Sequence, residues 1–175
     1  IGGDGSNVLS LITAGVQAVN ITAAGEITQP LQPSFSAYLS SSQANKTGNS
    51  TAYTIIFDTE IFDQGADYNN ATGIFTAPVT GRYVFNGHVF VEGRTVATDE
   101  LMRLVTSNRT YYLNDVYSAA TNVNVQLEGS TFVDNDAGDT AYIDVLGFGE
   151  AGNTHDILGG VGTTLYTYFS GSLIN

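Results

Sequence analysis

The residues best able to do chemistry near neutral pH are two histidines, His88 and His155. His88 stands in an alternating apolar run and His155 in a Gly- and Asn-rich segment, and no spacing joins them to further zinc ligands. Serines stand in runs such as SSS and FSGS, and none lies in a G-x-S-x-G motif followed by an acid and a histidine. The segment GGVGTT at 159–164 lacks the lysine of a phosphate-binding loop. We therefore expect two packed or solvated histidines and no enzymatic activity.

Oxygen ligands for a hard cation are the second kind of chemistry that the sequence offers. The segment DNDAGD at 134–139 carries carboxylates at Asp134, Asp136 and Asp139. Ca²⁺ takes oxygen ligands of this type, but the segment lacks the glutamate that completes a helix-loop-helix site. A turn before a strand explains the same residues. The sequence therefore requires no cofactor and leaves Ca²⁺ as a candidate ligand.

The charge balance restricts the partners. Five basic residues stand against 17 acidic ones, for a net charge of −12, so the surface would repel phosphate backbones and anionic membranes. No stretch approaches the roughly 20 apolar residues that cross a bilayer, and the chain has no cysteine for disulfides or thiolate metal sites. The opening IGGDGSNVL has neither an initiator methionine nor a signal-peptide pattern. We expect a piece of a longer protein, with no nucleic-acid partner and no membrane insertion.

The elements that would position any site are strands. From Tyr83 to Val91 large apolar residues alternate with others, and the same period of two returns at 141–146 and 165–173. Further β-rich runs, each bounded by Gly, Asn, Asp or Ser, lie at 35–39, 52–57, 101–105, 123–127 and 130–133. Many short strands separated by turns predict an antiparallel sandwich or barrel.

Residues 1–33 differ from the rest of the chain. They alternate weakly, are rich in small residues and end with two prolines, Pro30 and Pro33. This pattern predicts a short β stalk or entry strand with a linker near Pro30 to Pro33 over 1–33, and a head domain over 34–175.

The segment YNNATGIFTAPVTGRYVF at 68–85 decides between an active-site loop and a scaffold. ATG is predicted to be a turn, IFTAPV a short strand stopped by Pro78, and TGR a turn that feeds the next strand. Each special residue thus has a backbone role, which favours the scaffold. With PSFSAYL at 33–39 before it, and with GDTAYIDV at 138–145 and YFSGSLI at 168–174 after it, the segment resembles the signature of complement C1q-like domains.

The resemblance implies an all-β fold: a ten-stranded antiparallel jelly-roll sandwich, shared with the tumour necrosis factor superfamily, that forms a homotrimer. The large apolar residues assigned to its core are Phe57, Phe75, Tyr83, Phe85, Ile143 and Phe169. Residues on the opposite strand faces are assigned to the trimer interface, namely Phe90, Tyr142, Leu146, Tyr166 and Tyr168. Isolated surface tyrosines on a monomer are the alternative. In the resembling family calcium ligands come from the segment to which Asp115 corresponds, and here Asn122 or Asn124 replaces a second acidic ligand.

The segment NITAAGEITQPLQPSF at 20–35 resembles junctions in tail fibres and other adhesive appendages of bacteriophages and large viruses. It implies an extracellular receptor-binding head at the tip of a virion's tail or capsid fibre, joined to an upstream shaft and recognising a host-surface glycan or protein. The expected recognition loops are 40–51, 92–100, 107–110 and 115–122, with Asn45, Asn49, Arg94, Arg109 and Tyr117 as candidate contacts. Two alternatives stay open: a structural cap that only trimerises the shaft, and a secreted animal-type C1q-like ligand.

Overall fold

A computed structural model of the chain describes residues 9–96 and 98–174, and the regular elements in these residues are all β-strands. In chain order the strands are β1 (Leu9–Thr13), β2 (Val16–Ile21), β3 (Ile27–Thr28), β4 (Ser34–Tyr38), β5 (Gln43–Thr47), β6 (Tyr53–Thr54), β7 (Thr59–Asp63), β8 (Tyr68–Asn69), β9 (Ile74–Thr76), β10 (Gly81–Glu92), β11 (Thr98–Thr106), β12 (Thr110–Ser118), β13 (Val125–Asn135), β14 (Thr140–Gly147), β15 (His155–Ile157) and β16 (Tyr168–Leu173).

The strands form three antiparallel sheets, which we call A, B and C. Sheet A has the order β1-β2-β3, and its first hairpin turns at Ala14 and Gly15, both at positive φ as a two-residue hairpin requires. Sheet B has seven strands. Six follow the order β5-β15-β10-β16-β4-β7, and the seventh, β13, pairs with β10 from Gly81 to Val91. Sheet C has six strands, in the order β12-β11-β14-β9-β8 with β6 also paired to β14. Sheets B and C face each other as the two layers of the sandwich.

Burial alternates along the strands as the sequence predicts. On β10 every second residue from Tyr83 to Val91 is buried, and the residues between them are half-buried or exposed. All six predicted core residues are at most 1% exposed. The aromatic rings pack in contact, with Phe169 at 5.8 Å from Phe85 and 5.0 Å from Phe35 between ring centroids. The core is therefore an aromatic cluster between sheets B and C.

The two ends of the sandwich can be told apart by the strands and turns that lie there. Ser34 of β4 pairs with Ser172 of β16, and Leu173 pairs with Tyr83 of β10. The chain therefore enters and leaves the sandwich at one end, which we call the near end. The β11–β12 hairpin and the β13–β14 turn also lie there, because Ser107 donates its amide to Thr140 O. The opposite end, where β10 leads into β11, is the far end.

The all-β sandwich prediction is confirmed, but the strand pattern is more broken than expected. Thirteen strands, β4 to β16, build sheets B and C instead of ten. Positive-φ turns at Ala66 and Gly73, followed by Pro78, divide the chain between β7 and β10 into short segments. The runs predicted at 123–127 and 130–133 join into the single strand β13.

The segment expected to be a linker is fixed to sheet B. Pro33 is buried, and its carbonyl accepts the Leu173 amide at 2.9 Å. The Gln32 side chain donates to Leu173 O at 2.9 Å, and the Gln64 side chain donates to Gln29 O at 2.8 Å. Residues 1–8 of the predicted stalk lie outside the described residues.

Candidate functional site

Three of the four predicted recognition loops meet at the far end of the sandwich. The Asn122 amide donates to the Arg94 carbonyl at 3.1 Å, and the Glu150 amide donates to Gly48 O at 3.0 Å. The Glu150 side chain in turn accepts the Thr95 amide at 2.6 Å, which joins the loops into one surface. The three loops are 40–51, 92–100 and 115–122. The fourth, 107–110, lies at the near end.

Four of the five candidate contact residues are exposed: Asn45, Asn49, Arg109 and Tyr117. Two of them lie on strands and not in loops, since Asn45 belongs to β5 and Tyr117 to β12. The sequence did not reveal β5 because Asn45 has a positive φ of 58° and the segment around it lacks alternating apolar residues.

Arg94 was predicted as a recognition contact, and this prediction is wrong. The residue is only 1% exposed. Its Nε lies 3.3 Å from Glu100 Oε1, and its Nη2 donates to Thr98 O at 2.8 Å. Glu100 Oε1 also lies 2.6 Å from Nδ1 of His155, which is fully buried. Arg94 is thus the cation of a buried charged cluster, because a buried carboxylate needs a partner of opposite charge.

Glu150 borders this cluster and holds the loop before β11. Its Oε1 lies 3.6 Å from His155 Nε2 and accepts the amides of Thr95 and Val96 at 2.6 and 3.1 Å. These backbone donors, Thr95 first, lower the pKa of the Glu150 carboxyl, because they bind its ionised form more strongly. Sequence reasoning missed Glu150, which is a single acid in a Gly-rich segment.

The candidate calcium ligands do not come together. Asn122 hydrogen-bonds to Arg94, which lies beyond the end of β10. Asp134 of β13 is instead the cross-strand partner of Arg82, which lies near the start of β10. Twelve strand residues at about 3.3 Å each separate the two places. In the described part of the chain, no group of three or more His, Asp or Glu side chains is placed to hold a metal ion. These residues do not fit a calcium site within one chain.

The acidic segment 134–139 works instead as a turn at the near end. Asp139 Oδ1 accepts the Ser107 hydroxyl at 2.7 Å, and its Oδ2 accepts the Asn108 side-chain amide and the Asp136 backbone amide at 2.5 and 2.8 Å. These donors, Ser107 first, lower the pKa of Asp139. The carboxylate therefore joins the β13–β14 turn to the β11–β12 hairpin.

One residue of this segment has a role that sequence reasoning missed. Asn135 is 1% exposed, on the same side of β13 as the buried Val133. Neither its amide nitrogen nor its amide oxygen has a hydrogen-bond partner in the described residues. The alternation of β13 could have revealed it, because a period of two places Asn135 on the same inner face as Val133. A polar side chain on a buried face needs hydrogen-bond partners.

The predicted interface residues divide between the two outer faces of the sandwich. Phe90 and Tyr168 lie on sheet B, where the Tyr168 ring stacks on His88 at 4.9 Å between ring centroids. Tyr166, two residues before β16, packs edge-on against Phe90 at 5.6 Å. His88 also binds the Tyr166 carbonyl through Nδ1 at 2.7 Å. This face also exposes large apolar side chains that the sequence did not single out, with Phe132 68% exposed.

Tyr142 and Leu146 lie on the outer face of sheet C. Between them on β14 stands Asp144, which accepts two hydrogen bonds from Arg103 at 2.8 and 2.5 Å. That hydrogen bonding raises the pKa of the Arg103 guanidinium. In a threefold ring, each contact joins two different patches of the subunit. The residues on sheet B and those on sheet C could therefore both belong to an interface, and their assignment stays a prediction.

Comparison with known proteins identifies the sandwich. Residues 34–174 match the family model of the C1q domain. The globular domain of zebrafish complement 1qA protein superposes with a TM-score of 0.56 at 20% identity, over 82% of this chain and 98% of that one. Murine APRIL gives a TM-score of 0.54 at 10% identity, over 82% and 99%. Eiger TNF from S. frugiperda gives 0.50 at 9% identity, over 83% and 92%.

No helix of the described residues is long and apolar enough to cross a membrane.

Proposed function

The chain belongs to the C1q domain family, and from that premise we propose that it is the homotrimeric, receptor-binding head of a phage or viral fibre. The head would stand at the tip of a tail or capsid fibre of the virion, outside the cell, and bind a host-surface glycan or protein. We propose adhesion and not catalysis, because His155 is buried in an ionic cluster and His88 is engaged by Tyr166 and Tyr168.

Sheet A is the observation that carries this proposal. None of its side chains whose burial is described is buried, and it exposes Leu11, Ile12 and Val16 on its hairpin and Ile27 on β3. A small sheet without a buried face is unstable by itself in water. Neighbouring copies around a threefold axis would cover these side chains, as the shaft of a fibre does. The junction of sheet A with the near end supports an arrangement in which the head would stand on this shaft.

The outer face of sheet B supports the same assembly. Phe132, Phe62 and Tyr168 are 68%, 50% and 37% exposed there. Between them the face carries small serines on β4 and β16, such as Ser36 opposite Ser170, which allow a second chain to approach closely. Exposed aromatic side chains next to a flat surface are typical of protein interfaces.

The far-end loops would then be displayed three times on one rigid particle. Asn45, Asn49 and Tyr117 are exposed in this region. Three weak sites held at fixed spacing bind a surface much more strongly than one, because the second and third contacts form within the same complex. Avidity therefore supports adhesion even where a single site is weak.

Two measurements test the proposal. Sedimentation equilibrium of the chain should give the mass of a trimer, and the isolated trimer should bind members of a glycan array or of a panel of bacterial and eukaryotic cells. A monomer at micromolar concentration would contradict the assembly. A trimer that binds no glycan and no cell would instead be a structural cap of the shaft.

A further inference from the structure

A polar cavity of about 300 Å³ opens at the near end, at the free edges of sheets B and C. Its lining includes Asn108, Arg109 and Tyr111 from the β11–β12 hairpin and Asp134, Asn135 and Asp136 from the end of β13. A cavity of this volume is at the small end of the range of ligand sites, which favours a ligand about the size of one sugar ring.

Asn135 gives this cavity its chemical character. Asn135 is among the residues that line the cavity and is 1% exposed, and its amide nitrogen and amide oxygen are closed off from solvent and lack a protein partner in the described structure. A buried amide without partners destabilises the folded protein. The amide can be satisfied by a group that enters the cavity, moves the exposed side chains of its lining aside, and both donates and accepts hydrogen bonds.

A sugar hydroxyl both donates and accepts, and two neighbouring hydroxyls match the amide oxygen and the amide nitrogen of Asn135 side by side. The carboxylates of Asp134 and Asp136 would accept further hydroxyl hydrogens, and the Arg109 guanidinium would donate to ring or hydroxyl oxygens. Tyr111, half-buried on β12, offers an aromatic surface to the apolar face of a sugar ring.

The charged side chains that line the cavity favour an uncharged ligand. Two carboxylates against one guanidinium, on a chain of net charge −12, disfavour an anionic ligand. The Arg109 guanidinium in the same lining disfavours a metal cation, since like charges repel at short range.

We propose that this near-end cavity is a binding site for a neutral saccharide, with the Asn135 amide as its central hydrogen-bonding group. The inference rests on the proposed adhesion function and gives the chemical class of its ligand. It also places a recognition site beside the stalk, away from the far-end loops.

The first experiment is saturation-transfer NMR of the full chain with galactose, glucose, mannose and N-acetylglucosamine at millimolar concentrations. We expect transfer to at least one of these sugars and its loss in the Asn135→Leu variant. The melting temperature of this variant should equal or exceed that of the wild type, because no hydrogen bond within the protein is lost. A lower melting temperature together with retained transfer would show that Asn135 is structural, and the proposal would be overturned.

A second pair of variants gives a test that does not depend on a buried position. Arg109→Ala should weaken sugar binding on the order of tenfold, because a charged donor to the ligand is lost. Arg109→Lys keeps a positive charge and a hydrogen-bond donor at the same position and should retain most of the affinity. Equal losses in both variants, or no transfer to any of the four sugars by the wild type, would overturn the proposal.

The outcomes for this site and for the proposed function can be separated on the glycan array. Array or cell binding that persists in the Asn135→Leu trimer, together with saturation transfer to the monosaccharides that also persists, would exclude this cavity and leave the adhesion function intact. A wild-type trimer that binds no glycan and no cell would exclude the adhesion function itself.

Discussion

Glu100 Oε1 lies 2.6 Å from His155 Nδ1, and both side chains are fully buried at the far end of the sandwich. The same oxygen lies 3.3 Å from Arg94 Nε, so one carboxylate joins the loop after β10, strand β11 and strand β15. The cluster holds together the base of the loops that we expect to recognise a receptor. It is also the place where a single substitution would leave a buried charge without its partner.

We expect Arg94→Met to lower the free energy of unfolding by roughly 3–5 kcal/mol, because Glu100 would stay buried without its cation. Urea unfolding at a fixed protein concentration measures the change. Arg82→Ala, at an exposed arginine, serves as the control and should change the free energy by less than about 0.5 kcal/mol. A near-zero effect of Arg94→Met would mean that the cluster relaxes or admits water.

Gly171 of β16 is packed too closely for a larger residue. A Cβ at this position would lie 2.6 Å from Phe85 Cδ1 and 2.8 Å from Phe35 Cε1. Gly171→Ala should therefore destabilise the fold by about 1–3 kcal/mol through overpacking. Gly152→Ala is the matched control, since a Cβ there meets no atom within 4 Å. Thermal unfolding of the two variants side by side tests the difference, and equal melting temperatures would refute it.

Phe132 and Tyr112 form a matched pair for testing the trimer. Each is 68% exposed, Phe132 on the outer face of sheet B and Tyr112 on the edge strand of sheet C. Phe132→Glu should raise the concentration at which the trimer half-dissociates by roughly tenfold or more, because a charge would enter an apolar interface. Tyr112→Glu should have little effect. Sedimentation equilibrium distinguishes them, and the reverse order would move the interface to sheet C.

Glu150 predicts how stability depends on pH. Hydrogen bonds from Thr95 and Val96 lower the pKa of the Glu150 carboxyl in the folded chain. Its stabilising contribution is therefore complete above the unfolded pKa near 4.3 and is lost as the pH falls through the lower folded pKa. Glu150→Gln should flatten the decline of stability between about pH 5 and pH 3. Glu60→Gln, at an exposed glutamate of β7, is the control. An unchanged profile in Glu150→Gln would contradict the assignment.

The sequence predicted those parts of the fold that depend on local pattern. Alternation from Tyr83 to Val91 identified β10 and its buried face, and all six predicted core residues lie in the aromatic cluster or next to it. Strands with few apolar residues, such as β5 around Asn45, were not identifiable because their pairing depends on partners far along the chain. Hydrogen bonds to β15 hold β5 in the sheet, and no pattern in the residues near Asn45 indicates this pairing.

The candidate site was harder to predict than the core, because polar residues have several roles that look alike in sequence. Arg94 stands in a loop-like run and was expected at the surface. It is buried instead, where it forms an ion pair with Glu100, six residues later. Asn135 stands between two aspartates that were candidate metal ligands and was not itself singled out, although its strand position makes it an inward-facing amide. In both cases the partner and the direction of the side chain decide the role.

The near end of the sandwich holds both the junction with sheet A and the cavity around Asn135. A tensile force between a tethered shaft and a sugar held in this cavity would enter and leave the domain at the same end. It would load the β13–β14 turn and the first residues of β4, and it would bypass the aromatic cluster between the sheets. If the chain is the fibre head that we propose, we therefore expect the bond to the sugar to break before the aromatic cluster between the sheets unfolds.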